Sequence, residues 1–105
     1  MSTIVIFDTF GETLKERLDV DALEKYAKKI NGVYGAYQTL VLNQKVMLDK
    51  LTEVKRNGGN DVSSVIAVTG SRVRLERPLQ RAMEGAGLDP NQLVITNVRD
   101  RKSVV

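Results

Sequence analysis

The stretch VSSVIAVTGSRVRLERP, Val62 to Pro78, has two readings, and the fold follows from the choice between them. An apolar run ends in Thr69, Gly70 and Ser71. A short alternation follows, in which Val73 and Leu75 face one way and Arg72 and Arg74 the other. A Gly-X pair between two such runs is a hairpin signal, because glycine takes the positive φ that the turn needs. Arg77 precedes Pro78 and is therefore biased toward extended backbone. On this reading Pro78 opens a short helix, PLQRAMEGAG, which Gly85 and Gly87 bring to an end. The rival reading makes TGSR a strand-to-helix phosphate loop, starts a helix at Arg72 and produces parallel βαβ units. The Val/Arg alternation and the residue before proline favour the hairpin. Beyond it, LDPNQ is a turn and LVITNV a last strand.

Upstream, the pattern is helical. Leu23, Tyr26, Ile30, Val33, Tyr37, Leu40, Gln44, Met47, Leu51 and Val54 follow one another at spacings of three and four, which marks one helix face. The neighbouring column of Ala27, Tyr34, Val41 and Leu48 widens that face beyond a two-stranded seam. Asp19 or Asp21 is placed to cap the start, with Glu24 in capping-box spacing from Asp21. Lys55, Arg56 and the NGGN segment, Asn57 to Asn60, suit the end. Unbroken, such a helix would extend roughly 54 Å at 1.5 Å per residue, longer than a domain of this size needs. Gly32 and Gly35 each cost about 1 kcal/mol in a helix interior, but the period carries through them. The spacing therefore predicts a continuous or bent helix.

A chain of 105 residues has the length of one domain. It contains no Cys and no His, so any catalysis would rest on carboxylates and Lys. Residues 1–55 carry eight basic and eight acidic side chains, and residues 56–105 carry eight basic and five acidic, so the net charge of +3 arises in the second half. That half uses mainly Arg, which favours bidentate contact with phosphate or carboxylate. Arg72, Arg74, Arg77 and Arg81, with Arg99, Arg101 and Lys102, are the candidate anion- or nucleic-acid-binding residues. No aromatic RNP-like strand, helix-turn-helix pattern or zinc spacing accompanies them.

The opening segment IVIFDTFGETL, Ile4 to Leu14, places Asp8 after an apolar run, with a Gly and a Thr shortly beyond. It resembles the first motif of the haloacid dehalogenase-like hydrolases, in which such an Asp is the nucleophile. VIAVTGSR is similar to that superfamily's second motif, a strand ending in a Thr or Ser that binds phosphate, here Thr69. The resemblance covers about twenty residues of short motifs, and its site-completeness test finds departures. Glu12 separates Gly11 from Thr13, and Phe10 stands where the phosphatases of that family have a second Asp and only the dehalogenase branch does without one. The one lysine after Thr69 is Lys102, and Asp100 stands alone where the resemblance implies an acidic metal site. The phosphate-binding loop of nucleotide enzymes is no better matched, since Gly70 lacks a Gly-spaced cradle and the Lys before Ser or Thr.

The expected fold class is α+β: a small, mainly antiparallel sheet of about four strands with one long amphipathic helix and one short helix, a three-stranded α/β arrangement being the alternative. The expected layout is one domain: strand and lead-in over 1–18, long helix over 19–57, hairpin, short helix and last strand over 58–98, and a mobile basic tail over 99–105. A wide apolar stripe on so long a helix needs covering, and a second copy of the chain is the common solution, with Gln44 fixing register. The expected function is that of a non-enzymatic, self-assembling structural or interaction protein that presents arginines to a partner. A nucleic-acid-binding or regulatory protein is the alternative, and a phosphohydrolase-like fragment is more remote. No cofactor, metal or small-molecule substrate is expected. The partners expected are the chain itself and either nucleic acid or an acidic protein. No run approaches the roughly 20 apolar residues of a membrane span and no signal peptide is apparent, so the cytoplasm or a particle assembled there is the expected location.

Overall fold

Two apolar runs set the sheet. β1 (Ser2–Asp8) is buried without a break from Ile4 to Asp8, as befits a strand covered on both faces. β3 (Val62–Thr69) lies beside it in parallel, with Ile4 opposite Val65, Ile6 opposite Ala67 and Phe7 opposite Val68. The structure, a computed structural model, describes residues 2–9, 19–39 and 44–97. Within them the chain alternates strand and helix: α1 (Val20–Lys28), β2 (Val33–Thr39), α2 (Gln44–Arg56), α3 (Arg72–Gly85) and β4 (Leu93–Asn97) complete the order β1-α1-β2-α2-β3-α3-β4. The strands form one four-stranded sheet in the order β2-β1-β3-β4, and every neighbouring pair is parallel. The mainly antiparallel sheet expected from the sequence is therefore corrected, and so is the three-stranded alternative.

The long helix is corrected as well. Asp19 caps α1 by accepting from the Ala22 N–H at 3.2 Å, but α1 ends at Lys28. The chain then turns through Gly32, whose φ of +90° is the left-handed region that favours glycine. VYGAYQT follows as a strand, consistent with its β-branched and aromatic residues. The spacing misleads here because Val33 and Tyr37, four apart, share a face under a period of two as well as under a period of 3.6. Only the last third of the stripe is a helix ending where the sequence indicates. α2 closes with Lys55 and Arg56, and Gly58, at φ +104°, makes the left-handed stop.

The hairpin is the third correction. After Thr69 the chain enters α3 at Arg72, so Val73 lies 93% exposed whereas Leu75 is fully buried. Two residues apart on a strand they would share a face. On a helix they do not, and Leu75, Leu79, Ala82 and Met83 instead form the buried stripe. Pro78 sits inside this helix and lacks the N–H that would bond the Arg74 carbonyl, at a cost of about 3 kcal/mol. Burying Leu75 and Leu79 contributes roughly 2 kcal/mol each, enough to offset it. Gly87, at φ +82°, follows the helix end, and a 3-10 turn over Pro90–Gln92, capped by Asp89, leads into β4.

The core lies in two layers, one on each face of the sheet. α2 and α3 cover Ile4, Ile6, Val65 and Ala67 with Met47, Leu51, Val54, Leu75, Leu79, Ala82 and Met83. α1 covers Val5, Phe7 and Ala36 with Val20 and Ala27. Helices on both faces of a parallel sheet make this a doubly wound arrangement.

Candidate functional site

Strand alternation and register bring two polar residues together. In β1 the side chains of Ile4 and Ile6 point toward α2 and α3, so Asp8, two residues further, shares that face. In β3 Val65 and Ala67 do the same, and Thr69 follows. Because Phe7 pairs with Val68, continuing the register sets Asp8 beside Thr69. Both stand at the carboxyl ends of the two central strands, and both are buried.

This is also where the topology divides. From β1 the chain runs through α1 to β2 on one side of the sheet, and α2 then carries it back to β3 on the other side. β1 thus leads to a helix on one face and β3 to a helix on the opposite face. In open sheets of this kind ligands bind at that switch point, outside the carboxyl ends of the strands.

The Thr69 hydroxyl donates to Asp8 Oδ2 at 2.7 Å and accepts the Ser71 backbone N–H at 3.0 Å. One hydroxyl lone pair accepts from Ser71, and the single hydroxyl proton is directed at the carboxylate. Arg74, the third residue of α3, donates to the same Asp8 oxygen through its guanidinium. Asp8 is 1% exposed and the Arg74 side chain 29%, so the carboxylate is covered while the Arg74 side chain is partly exposed. A buried carboxylate needs such a partner, and removing the partner leaves a charge that water cannot reach.

The other residues singled out in the sequence do not converge. Arg72 is exposed and bonded to Glu76 at 2.9 Å. Arg77 and Arg81 line an open groove with Gln44, Gln80 and Glu84, and Arg74 turns away from them to Asp8. Arg99, Arg101 and Lys102 lie outside the described residues, as do Phe10, Glu12 and Asp100. Among the oligomer-interface residues, Met47, Leu51 and Val54 are core, and Val33 and Tyr37 belong to β2. Burial, with Tyr34 and Glu53 nearby, raises the Tyr37 hydroxyl above its ordinary range, and Lys50 lies over its ring. Gln44 is the exposed first residue of α2, Leu40 lies outside the described residues, and Leu23, Tyr26 and Ile30 stay exposed.

The sequence did not single out Arg74 as a partner of Asp8. A helix starting at Arg72 brings its third residue back over the end of β3, but the hairpin reading concealed that. Among the described residues, no three or more acidic, His or Cys side chains are grouped to hold a metal ion, and no helix is long and apolar enough to cross a membrane. No protein-family model matches the chain, and no curated protein matches its sequence.

Proposed function

We propose that this chain handles aryl phosphate monoesters and acyl phosphates at the Asp8 site, in the manner of the haloacid dehalogenase-like hydrolases that its two short motifs resemble. The observation carrying this reading is the 2.7 Å bond between Thr69 and Asp8, 61 residues apart, at the switch point of a parallel sheet. The sequence alone favours a non-enzymatic protein, because its motifs lack the lysine that the family places after Thr69 and the contiguous Gly-Thr pair after Asp8. Arg74 supplies a positive charge at that place.

In this reading an Asp8 oxygen attacks phosphorus, the bond from phosphorus to the ester oxygen breaks, and the leaving group departs with the electron pair. Water then attacks the aspartyl phosphate, releasing inorganic phosphate and restoring the carboxylate. Thr69 orients Asp8 through its hydroxyl proton. The chain has no His, and residue 10 is Phe where phosphatases of that family have an acid/base. Leaving groups that depart without a proton, such as phenolates and carboxylates, are therefore the preferred class.

The magnesium ion that the resemblance implies does not fit the described residues, since Asp8 Oδ2 is bonded to a hydroxyl and a guanidinium and no acidic cluster adjoins it. No step above depends on it. The test is hydrolysis of p-nitrophenyl phosphate and acetyl phosphate, with and without magnesium, by the wild-type chain and Thr69→Val. Thr69→Val is expected to lose about a hundredfold in rate while staying folded, as expected for a lost orienting hydrogen bond. Unchanged turnover in Thr69→Val would remove Thr69 from the site.

A second reading, self-association, is favoured by a separate observation. Leu23, Tyr26 and Ile30 lie exposed along α1 and its end, Tyr26 at 67%, with Tyr34 also exposed on β2. Clustered apolar side chains in water mark contact surfaces more often than isolated ones do. Light scattering is expected to give a mass above one chain that falls to the monomer value in Tyr26→Asp. A wild-type monomer at high concentration would exclude it.

A further inference from the structure

We propose that the groove between α3 and the start of α2 is a second binding site, separate from Asp8, for a small polyhydroxylated phosphate monoester, a sugar phosphate in chemical class. It is built on Arg77, Arg81 and their neighbours, so it stands whether or not Asp8 handles phosphoryl groups.

Arg77, Gln80, Arg81 and Glu84 follow one another at helical spacing and share one face of α3. With Gln44 they line an open groove of about 810 Å³, the size of a small-molecule site. Both arginines are exposed, and among the described residues neither has an ion-pair or hydrogen-bond partner. Arg72 differs, because Glu76 on the next turn neutralises it. Arg77 and Arg81 are separated by about 6 Å of helix rise, and like charges one turn apart repel each other. An anion held between the two guanidiniums removes that repulsion.

The lining selects the kind of anion. Two planar forks present N–H donors to several oxygens at once, which suits a phosphoryl dianion better than a single carboxylate. Glu84, three residues beyond Arg81, accepts but does not donate when ionised, and it repels a second phosphate. The groove therefore does not continue as a track for nucleic acid. The Gln44 and Gln80 amides both donate and accept. Hydroxyl groups beside the phosphoryl group satisfy these amides and the Glu84 carboxylate together.

The test titrates glucose 6-phosphate into the isotopically labelled wild-type chain by NMR. The Arg77 to Gly85 amides and the side-chain amides of Gln44 and Gln80 are expected to move along one binding curve. The Thr69 and Ser71 amides, which report on Asp8, are not expected to follow that curve. Arg77→Gln and Arg81→Gln are each expected to weaken binding about tenfold, the scale of one hydrogen bond to a charged group. Both side chains are exposed, so these variants keep the fold. Arg72→Gln removes the same charge from the same helix and is expected to leave the affinity unchanged. Glu84→Ala is expected to weaken glucose 6-phosphate but to tighten inorganic phosphate at the groove amides, because it removes both a hydroxyl acceptor and a negative charge.

Equal weakening by Arg72→Gln, or groove amides that stay still throughout, overturns the site, whatever happens at Ser71. Tighter binding of succinate than of glucose 6-phosphate overturns the phosphoryl assignment. Tighter binding of a single-stranded oligonucleotide, lost in Arg77→Gln and Arg81→Gln, overturns the small ligand in favour of nucleic acid.

Discussion

Asp8→Asn is expected to give a folded protein whose hydrolysis of aryl and acyl phosphates falls by about three orders of magnitude or more, the scale of losing a nucleophile. The substituted side chain keeps an oxygen where Oδ2 now accepts from Thr69 and Arg74, so the contacts at the end of β1 survive in weaker form. The stability change should therefore be modest, about 1 kcal/mol, as for a weakened hydrogen bond. Activity and stability thus separate in this variant. A carboxylate that only fastened α3 to the sheet would show the same small stability change, with no activity to lose. Phosphate release distinguishes the two, and thermal melting followed by circular dichroism establishes that the variant is folded.

The second large effect concerns the fold. Leu75→Asp is expected to abolish folding, whereas Val73→Asp should be neutral. Leu75 is fully buried between α3 and the sheet, so the substitution removes about 2 kcal/mol of apolar transfer energy and adds several more for a charge without a partner. The sum approaches or exceeds the 5 to 15 kcal/mol, roughly, that holds a small domain together. Val73 is 93% exposed in the first turn of α3, where a negative charge is mildly favourable toward the helix dipole. In a hairpin the two positions would share a face and respond alike. Unfolding profiles of the two variants therefore test the strand-to-helix reading of residues 69–75 directly. Equal sensitivity at the two positions would restore the hairpin.

The same stretch explains what was legible in the sequence and what was not. The apolar runs at Ile4 to Phe7 and Val65 to Val68 read correctly as strands, and the NGGN stop after Arg56 and the turn at LDPNQ fall where expected. The errors arose where one local pattern satisfied two periods. Val33 and Tyr37 fit a helix as well as a strand, and Arg72 to Leu75 alternate over too few residues to outweigh the four-residue helical stripe that begins at Leu75. Pro78 reinforced the second error, because tertiary burial of Leu75 and Leu79 overrides a local preference that cannot register it. The site followed the fold. Asp8 and Thr69 are visible as strand-end residues, but their contact depends on parallel register and Arg74 depends on the helix, so neither is apparent until the strands are paired.

The central claim is that Asp8 receives a phosphoryl group. Its most direct test is peptide mapping by mass spectrometry of the wild-type chain, quenched in acid during incubation with acetyl phosphate or p-nitrophenyl phosphate, with and without magnesium. The expected result is the mass of one phosphoryl group on the peptide containing Asp8, absent from Asp8→Asn. An unmodified Asp8 peptide from a folded chain under all of these conditions, with no phosphate released, would contradict the account.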